Sequence, residues 1–502
     1  MQTCARCRLN TVARGDAALR VRIFMLKKWL NKMLPSSRSS KEAESKTVIP
    51  AERHNIRAEM LSFAAENVIR RLKEAGFQAY VVGGAVRDLL LGIEPKDFDV
   101  ATDATPEQVH KLFRRSRIIG RRFQIVHVMN GAEIIEVTTF RGGAKVHQNA
   151  HGRIMKDNTY GSIEEDAMRR DFTCNALYYD PEKEEILDFH NGIADVAARR
   201  LVMIGDAAER YQEDPVRILR AIRLSGKLGF DLSEETTAPI AESICRLKHE
   251  PVARLFDEIM KLLFSGHARE CLKRLNGFDI PDDIHPLLNA LRVSDGIAGK
   301  MTVLALKNTD ERLRADKSVS VGFVLAALMW PELERHWKSN LQQGLKPVPA
   351  LSDAINTMRG TVERGWGVPQ RFSATMREIW MFQPQFENRK GARPHKLFAQ
   401  ARFRAAYDFL LLRAETGNAD RALAEWWTAF QTASTEQRSE MTKNEAAARH
   451  EKTKDRRKNA AVAGANPSRR LWERIGNKGQ QTRSNEVSTH GMKHKVPFYA
   501  LS

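Results

Sequence analysis

The chain has 502 residues, with 81 Lys and Arg against 62 Asp and Glu, a formal net charge of +19. That length supports roughly three or four domains and a core that needs no disulfide staple, and the charge predicts a polyanionic partner, with nucleic acid, nucleotides and anionic lipid all qualifying. Five scattered cysteines exclude a disulfide framework and favour a reducing, cytoplasmic setting, and no apolar run of about 18 residues is present to span a membrane.

Residues 1–48 read as a basic N-terminal extension, with Asp16 the only acid before Glu42. Within it, 21–34 has the pattern of a short basic amphipathic helix of the kind that touches membranes or forms a transit peptide, against the simpler reading of an unstructured extension with Met25 as an alternative start. Cys4 and Cys7 form a C-x-x-C, but no second Cys or His pair follows at zinc-finger spacing, so no metal site is expected there. Over 49–205 strand and helix signals alternate. Residues 59–75 read as an amphipathic helix, 77–82 as a strand ending on Gly83-Gly84, and 123–129 with 133–140 as a hairpin turning at Asn130-Gly131. Beyond 206 helical periodicity takes over, with helices predicted over 214–228, 250–265, 319–330, 353–363, 369–381 and 401–415. From Ser434 onward 15 Lys and Arg face 7 Asp and Glu. That composition predicts a disordered basic tail that seeks RNA or merely solubilises the chain.

The chemistry concentrates in Tyr80-Val-Val-Gly-Gly-Ala-Val-Arg-Asp-Leu-Leu-Leu-Gly92 and Lys96-Asp-Phe-Asp-Val100. A strand running into Gly83 and Gly84 and then a helix gathers bare N–H groups and a helix dipole at one spot, which suits a phosphate. Arg87, in the first turn, could add a bidentate phosphate contact or pair with Asp88. On a strand Asp97 and Asp99 share a face while Phe98 enters the core. A lone D-x-D is usually a solvated turn; shortly after a phosphate-type turn, two close carboxylates instead imply a cation such as Mg²⁺. Two such ions can lower the pKa of an attacking 3′-hydroxyl, brace a leaving pyrophosphate and stabilise charge on the transferring phosphorus. A third carboxylate is expected, and Glu136, on a strand face with Ile134 and Thr138, competes with Asp171, whose alternatives are a helix cap or a partner for Arg169 or Arg170. In Glu213-Asp-Pro-Val-Arg-Ile-Leu-Arg-Ala-Ile-Arg223, Asp214 and Pro215 read as a helix start. Arg217, Arg220 and Arg223 then fall on one face and Ile218, Leu219 and Ile222 on the other. The arginine stripe is either a solvated face or a holder of triphosphate or base. Gly142-Gly-Ala-Lys145 lacks Walker A spacing, which excludes a P-loop ATPase.

These motifs, in this order, resemble the class II nucleotidyltransferases of the polymerase β superfamily, the bacterial poly(A) polymerases and CCA-adding tRNA nucleotidyltransferases. The resemblance spans roughly residues 80–223. It implies an α+β chain: a mixed-sheet catalytic head (49–205), a helical neck with the nucleotide-selecting motif (206–275), a helical RNA-binding body (276–433) and the disordered basic tail (434–502). It makes Asp97 and Asp99 the Mg²⁺ (or Mn²⁺) ligands and sets Gly83, Gly84 and Arg87 on the nucleotide phosphates. Asp171 becomes the third catalytic carboxylate with Arg170 on the nucleotide, and Asp214, Arg217 and Arg220 read the incoming base. Glu136 is left without an assignment. The stretches Ile49-Pro-Ala-Glu-Arg-His-Asn-Ile56, Ala401-Arg-Phe-Arg-Ala-Ala-Tyr-Asp408 and Leu412-Arg-Ala-Glu415, Trp426-Trp427 and the basic tail resemble the poly(A) polymerase branch. That branch implies addition of AMP from ATP to RNA 3′ ends (mRNA, small RNA, decay intermediates), with RNA-decay proteins as partners. The alternative is CCA addition to tRNA; a non-catalytic RNA binder is disfavoured, because Asp97 and Asp99 weaken polyanion binding unless metal is recruited. Two departures from relatives stand out: a short, His-rich 142–158 segment and the long N-terminal extension.

Overall fold

The computed structural model describes residues 46–445 apart from 121–123, 143–146, 149–153, 157–158 and 293–295. The 21–34 helix, the Cys4/Cys7 pair, most of 142–158 and the tail beyond 445 lie outside the described residues. The β-rich runs assemble into one eight-stranded sheet. Its strands are β1 (Thr47–Ile49), β2 (Ala79–Val82), β3 (Asp99–Thr102), β4 (Ser116–Ile119), β5 (Ile125–Asn130), β6 (Glu133–Thr139), β7 (Leu177–Asp180) and β8 (Glu185–Asp188). Their order is β1-β8-β7-β2-β3-β6-β5-β4. Only β3 and β6 are parallel neighbours, so the sheet is mixed.

Alternation along β6 decides the faces. Ile135 and Val137 are buried, whereas Ile134 and Glu136 point to the open side. The helix Phe63–Glu74 buries Ala64, Ala65, Val68, Ile69 and Leu72. It starts later than residue 59 because Ser62 takes the N-cap, its hydroxyl accepting from Ala65 N, while Ala58–Met60 forms a separate 3-10 turn. The hairpin also slips by one: Asn130 still pairs with Glu133, so Gly131 and Ala132 make the two-residue connection, with Gly131 in the left-handed region at φ 64°.

The chain divides into two units, one running to Val324 and including Met358–Gln370, the other made of Leu325–Thr357 and the chain from Arg371. In the first, the neck helix Val216–Leu228 buries Ile218, Leu219 and Ile222, as its periodicity predicts. Pro215 occupies the N-cap position, one residue later than expected, and Asp214 still accepts from Val216 N at 3.2 Å. The helix Ala268–Leu275 lies against it so closely that a Cβ on Gly226 would sit 2.5 Å from Cys271 Cα. In the second unit Phe386, Phe403, Trp427 and Phe430 form an aromatic core, and Trp427 Nε1 donates to Phe386 O at 3.0 Å. The helix predicted to end at residue 330 continues as Val321–Gln342 through Pro331, with Trp330 and Leu333 buried on either side. Helical backbone also extends from 435 to 445, past the expected tail boundary, because Arg438 stacks over Phe398 and Phe430 at 4.3 and 5.6 Å and Ser434 Oγ caps Gln437 N.

Gly226 supplies a test of the neck packing. On an exposed helix Gly→Ala gains about 1 kcal/mol; here Gly226→Ala is expected to cost about 1–3 kcal/mol by forcing backbone against backbone, read as a lowered urea midpoint.

Candidate active site

Register builds the site. Val82 pairs with Asp99, and Asp99 pairs in parallel with Glu136. The Gly83-Gly84 turn therefore leaves the sheet beside the acids, and Glu136 stands next to Asp99 on the open face. Asp97 is exposed in the lead-in to β3, and Phe98 between the two aspartates is buried, as expected. Burial, then the Glu136 charge and, in smaller measure, Asp97 raise the Asp99 carboxyl to about 6, against the pull of Arg170. Glu136 is exposed and is held by His127 Nε2 at 3.1 Å. Among the described residues no three His, Cys, Asp or Glu enclose a metal by themselves. An ion at Asp97 and Asp99 must therefore complete its shell with water or substrate oxygens, as Mg²⁺ ordinarily does. Clustered acids of which one is held from ionising fit such a cation.

Gly83 adopts φ 77°, a conformation open to glycine, and a Cβ there would lie 3.6 Å from Arg170 Nη1. Arg170 is clamped from behind: Nη2 donates to Asp166 Oδ2 at 3.0 Å and Nε to Tyr178 Oη at 2.9 Å, while the Tyr178 hydroxyl donates to Asp166 at 2.7 Å. Burial would lower its pKa, but Tyr178 and Asp166 outweigh that and raise it. Arg87 takes the carboxylate alternative. Its Nε and Nη2 donate to Asp88 Oδ1 at 2.9 and 2.7 Å, and Nη1 donates to Asn175 Oδ1.

Asp171 is not drawn to the Asp97 and Asp99 carboxylates by any hydrogen bond. Arg220 Nε and Nη2 both donate to its Oδ2 at 2.9 and 2.5 Å, and Oδ1 accepts from Asn175 Nδ2 and Phe172 N. Burial would raise its pKa; Arg220 and these donors win and hold it at about 2. Asn175 thus bridges Arg87 to Asp171, and Asp171 bridges onward to the neck. Asp214 is paired with Arg254 at 2.6 Å, and Arg217 with Glu213 at 2.9 Å and the Arg210 carbonyl at 2.8 Å. Beside them Arg141, Arg169, Arg210 and Arg217 make a cationic cluster: burial, then Arg141 and Arg210, lower Arg169 to about 10. Sequence reasoning passed over Asn175, His127 and this cluster. Asn175 lies four residues after Asp171 in a motif already in view, but nothing in that spacing reveals its bridge to Arg87.

Paired strand carboxylates beside a glycine turn, with cationic helical residues behind, define the head of a nucleotidyltransferase. The described family "Poly A polymerase head domain" matches residues 79–202, "Probable RNA and SrmB- binding site of polymerase A" matches 229–291, and "Polymerase A arginine-rich C-terminus" matches 343–461. Poly(A) polymerase I of Salmonella typhimurium is 42% identical over 414 residues, covering 79% of this chain and 89% of its own. The CCA-adding enzyme of Geobacillus kaustophilus is 40% identical over 211 residues, 42% of this chain and 52% of its own. A crystal structure of the Bacillus stearothermophilus CCA-adding enzyme in complex with CTP is similar at 27% identity and a TM-score of 0.49, over 73% of this chain and 81% of that one. The chain belongs to the bacterial poly(A) polymerase I family.

The raised Asp99 carboxyl fixes the sign of a pH effect. Its folded pKa of about 6 lies above the ordinary 3.8, so the native state binds the extra proton and this group's contribution to stability is lost as pH rises from about 4 to about 6. In metal-free buffer Asp99→Asn is expected to be more stable than wild type at pH 7, by about 2–3 kcal/mol, and to lose that advantage at pH 4, as measured by urea unfolding at the two pH values.

Proposed function

We propose that this chain adds AMP from ATP repeatedly to RNA 3′-hydroxyls, releasing diphosphate, without a nucleic-acid template. The observation that carries poly(A) addition over CCA addition is the reach of the similarity, 414 residues to the poly(A) polymerase against 211 to the CCA-adding enzyme. Asp97 and Asp99 are the proposed ligands of Mg²⁺, or of Mn²⁺ in its stead. When bound, the metal favours the attacking 3′-alkoxide and offsets charge on the transferring phosphorus and diphosphate.

The other assignments follow from what each side chain has left to offer. Glu136 is the third carboxylate, supported by its register with Asp99 and its tether to His127. Asp171, spent on Arg220 and Asn175, is a positioning residue that orients the neck toward the glycine turn. Gly83 and Gly84 admit the triphosphate close to backbone N–H groups, and Arg170, fixed by Asp166 and Tyr178, lies beside that turn to meet it. Arg87, committed to Asp88 and Asn175, acts on the phosphates through its charge and the shape of the turn. Asp214 accepts and Arg217 donates, a pair that suits an amino group next to a ring nitrogen, as on adenine and cytosine. Arg254 and Glu213 fix the two groups, so ring size must separate the two bases. Arg220 holds the arrangement through Asp171. Messenger RNA, small RNAs and decay intermediates in the cytoplasm are the proposed ends, and RNA-decay proteins the proposed partners.

The assay is direct. Purified chain, Mg²⁺ and an unstructured RNA oligonucleotide are incubated with each of the four nucleoside triphosphates separately, and again with a tRNA lacking its CCA end. A long ladder on the oligonucleotide with ATP alone is expected. Growth of the tRNA alone, by two C and one A and then arrest, would replace this reading with CCA addition.

A further inference from the structure

The cationic face of the neck helix has one member without a partner. Arg217 is met by Glu213 at 2.9 Å, Arg220 by Asp171 at 2.5 Å and Arg223 by Glu258 at 2.7 Å. Lys227 lies four residues beyond Arg223 on the same face and is half-buried. Among the described residues no carboxylate lies within ion-pair distance of its Nζ, and none accepts a hydrogen bond from it. The charges that bear on it are Asp88, of opposite sign, and Arg87, Arg223 and Lys96, of its own.

The acids nearby are already committed. Asp88 Oδ1 is held by two nitrogens of Arg87, and Glu258 by Arg223 and, at 3.5 Å, by Lys261. Four cations, Arg87, Lys96, Arg223 and Lys227, therefore face two carboxylates, leaving a local surplus of positive charge. Burial and then the like charges of Arg87, Arg223 and Lys96 lower the Lys227 pKa against the pull of Asp88. Such a site carries a desolvation cost that a doubly charged anion would offset. The surplus also has a direction. Lys96 precedes Asp97 in the chain, and Arg87 belongs to the helix that follows the glycine turn, so the unmatched charge borders the proposed metal pair.

We propose that Lys227, with Lys96 beside it, receives a phosphate group of a substrate at this border of the active site. The phosphate comes either from the RNA backbone next to its 3′ end or from the nucleotide's leaving diphosphate. The inference rests on the reading of nucleotidyl transfer to RNA, and its test is arranged so that the two can fail separately.

The full chain is compared with Lys227→Gln and Lys227→Arg in three measurements: equilibrium binding of a single-stranded RNA oligonucleotide across a salt series without nucleotide, binding of inorganic diphosphate, and ATP extension kinetics. Lys227→Gln is expected to weaken one ligand about tenfold, with kcat nearly unchanged and the melting temperature equal to or above wild type, because an unpaired desolvated cation has been removed. Lys227→Arg is expected to restore binding. A weakened RNA arm, with a salt slope flatter by about 0.7, assigns the RNA backbone; a weakened diphosphate arm with raised KM for ATP assigns the nucleotide. Unchanged binding in both arms overturns the proposal, as does a lowered melting temperature that Lys227→Arg fails to restore, which would make Lys227 structural. A wild-type chain that binds both ligands but adds no AMP would overturn the functional reading and leave the binding arms to judge Lys227.

Discussion

Asp99 bears its charge where the fold disfavours it. The parallel pairing of β3 with β6 sets Glu136 alongside, the D-x-D spacing sets Asp97 near, and burial removes part of the water that would screen them. Arg170 offers partial relief only, since it is committed to Asp166 and Tyr178. A sheet that concentrates negative charge in this way is an incomplete structure until a cation and the phosphates it carries arrive, and the remaining parts of the site are arranged around that deficit.

Opposite the acids stands an excess of arginine, and the fold keeps it from collapsing onto them. Most guanidinium groups have a fixed acid of their own: Arg220 on Asp171, Arg223 on Glu258, Arg254 on Asp214, Arg217 on Glu213. The line Asp88, Arg87, Asn175, Asp171, Arg220 runs unbroken from the helix after the glycine turn to the neck helix. Its members hold one another within hydrogen-bond distance, so an anion meets prearranged charge and little reorganisation is needed on binding. Gly226 belongs to the same design at one remove, since its missing side chain lets the neck helix settle against Cys271 and so fixes where Arg220 and Lys227 project.

Much of this was legible in the residues, and the boundary of legibility is physical. The alternation along 133–139, the glycine turn, Phe98 between the two aspartates and the neck periodicity are local signals, and local geometry follows from them. The choice between Asp171 and Glu136 was not local. It depends on the register of β3 against β6 and on an ion pair to Arg220 spanning 49 positions, and neither leaves a trace in spacing. The two roles open to Arg87 were visible, but only packing decided for Asp88. In the second unit, Arg438 stacking on two rings extends order past the point where composition suggests a tail. The helix Gly296–Arg314 escaped notice because its apolar residues do not keep to one clean face.

The account turns on the acids being a cation seat, and Mn²⁺ binding to the full chain, read by electron paramagnetic resonance at pH 7.5 and pH 5, tests that most directly. Tight binding by wild type, weakened on acidification through about pH 6 as Asp99 takes up its proton, and lost in Asp97→Asn and Asp99→Asn while Asp171→Asn retains it, is the predicted result. Mn²⁺ bound equally by wild type and by both of the first two variants, or lost in Asp171→Asn alone, would contradict it.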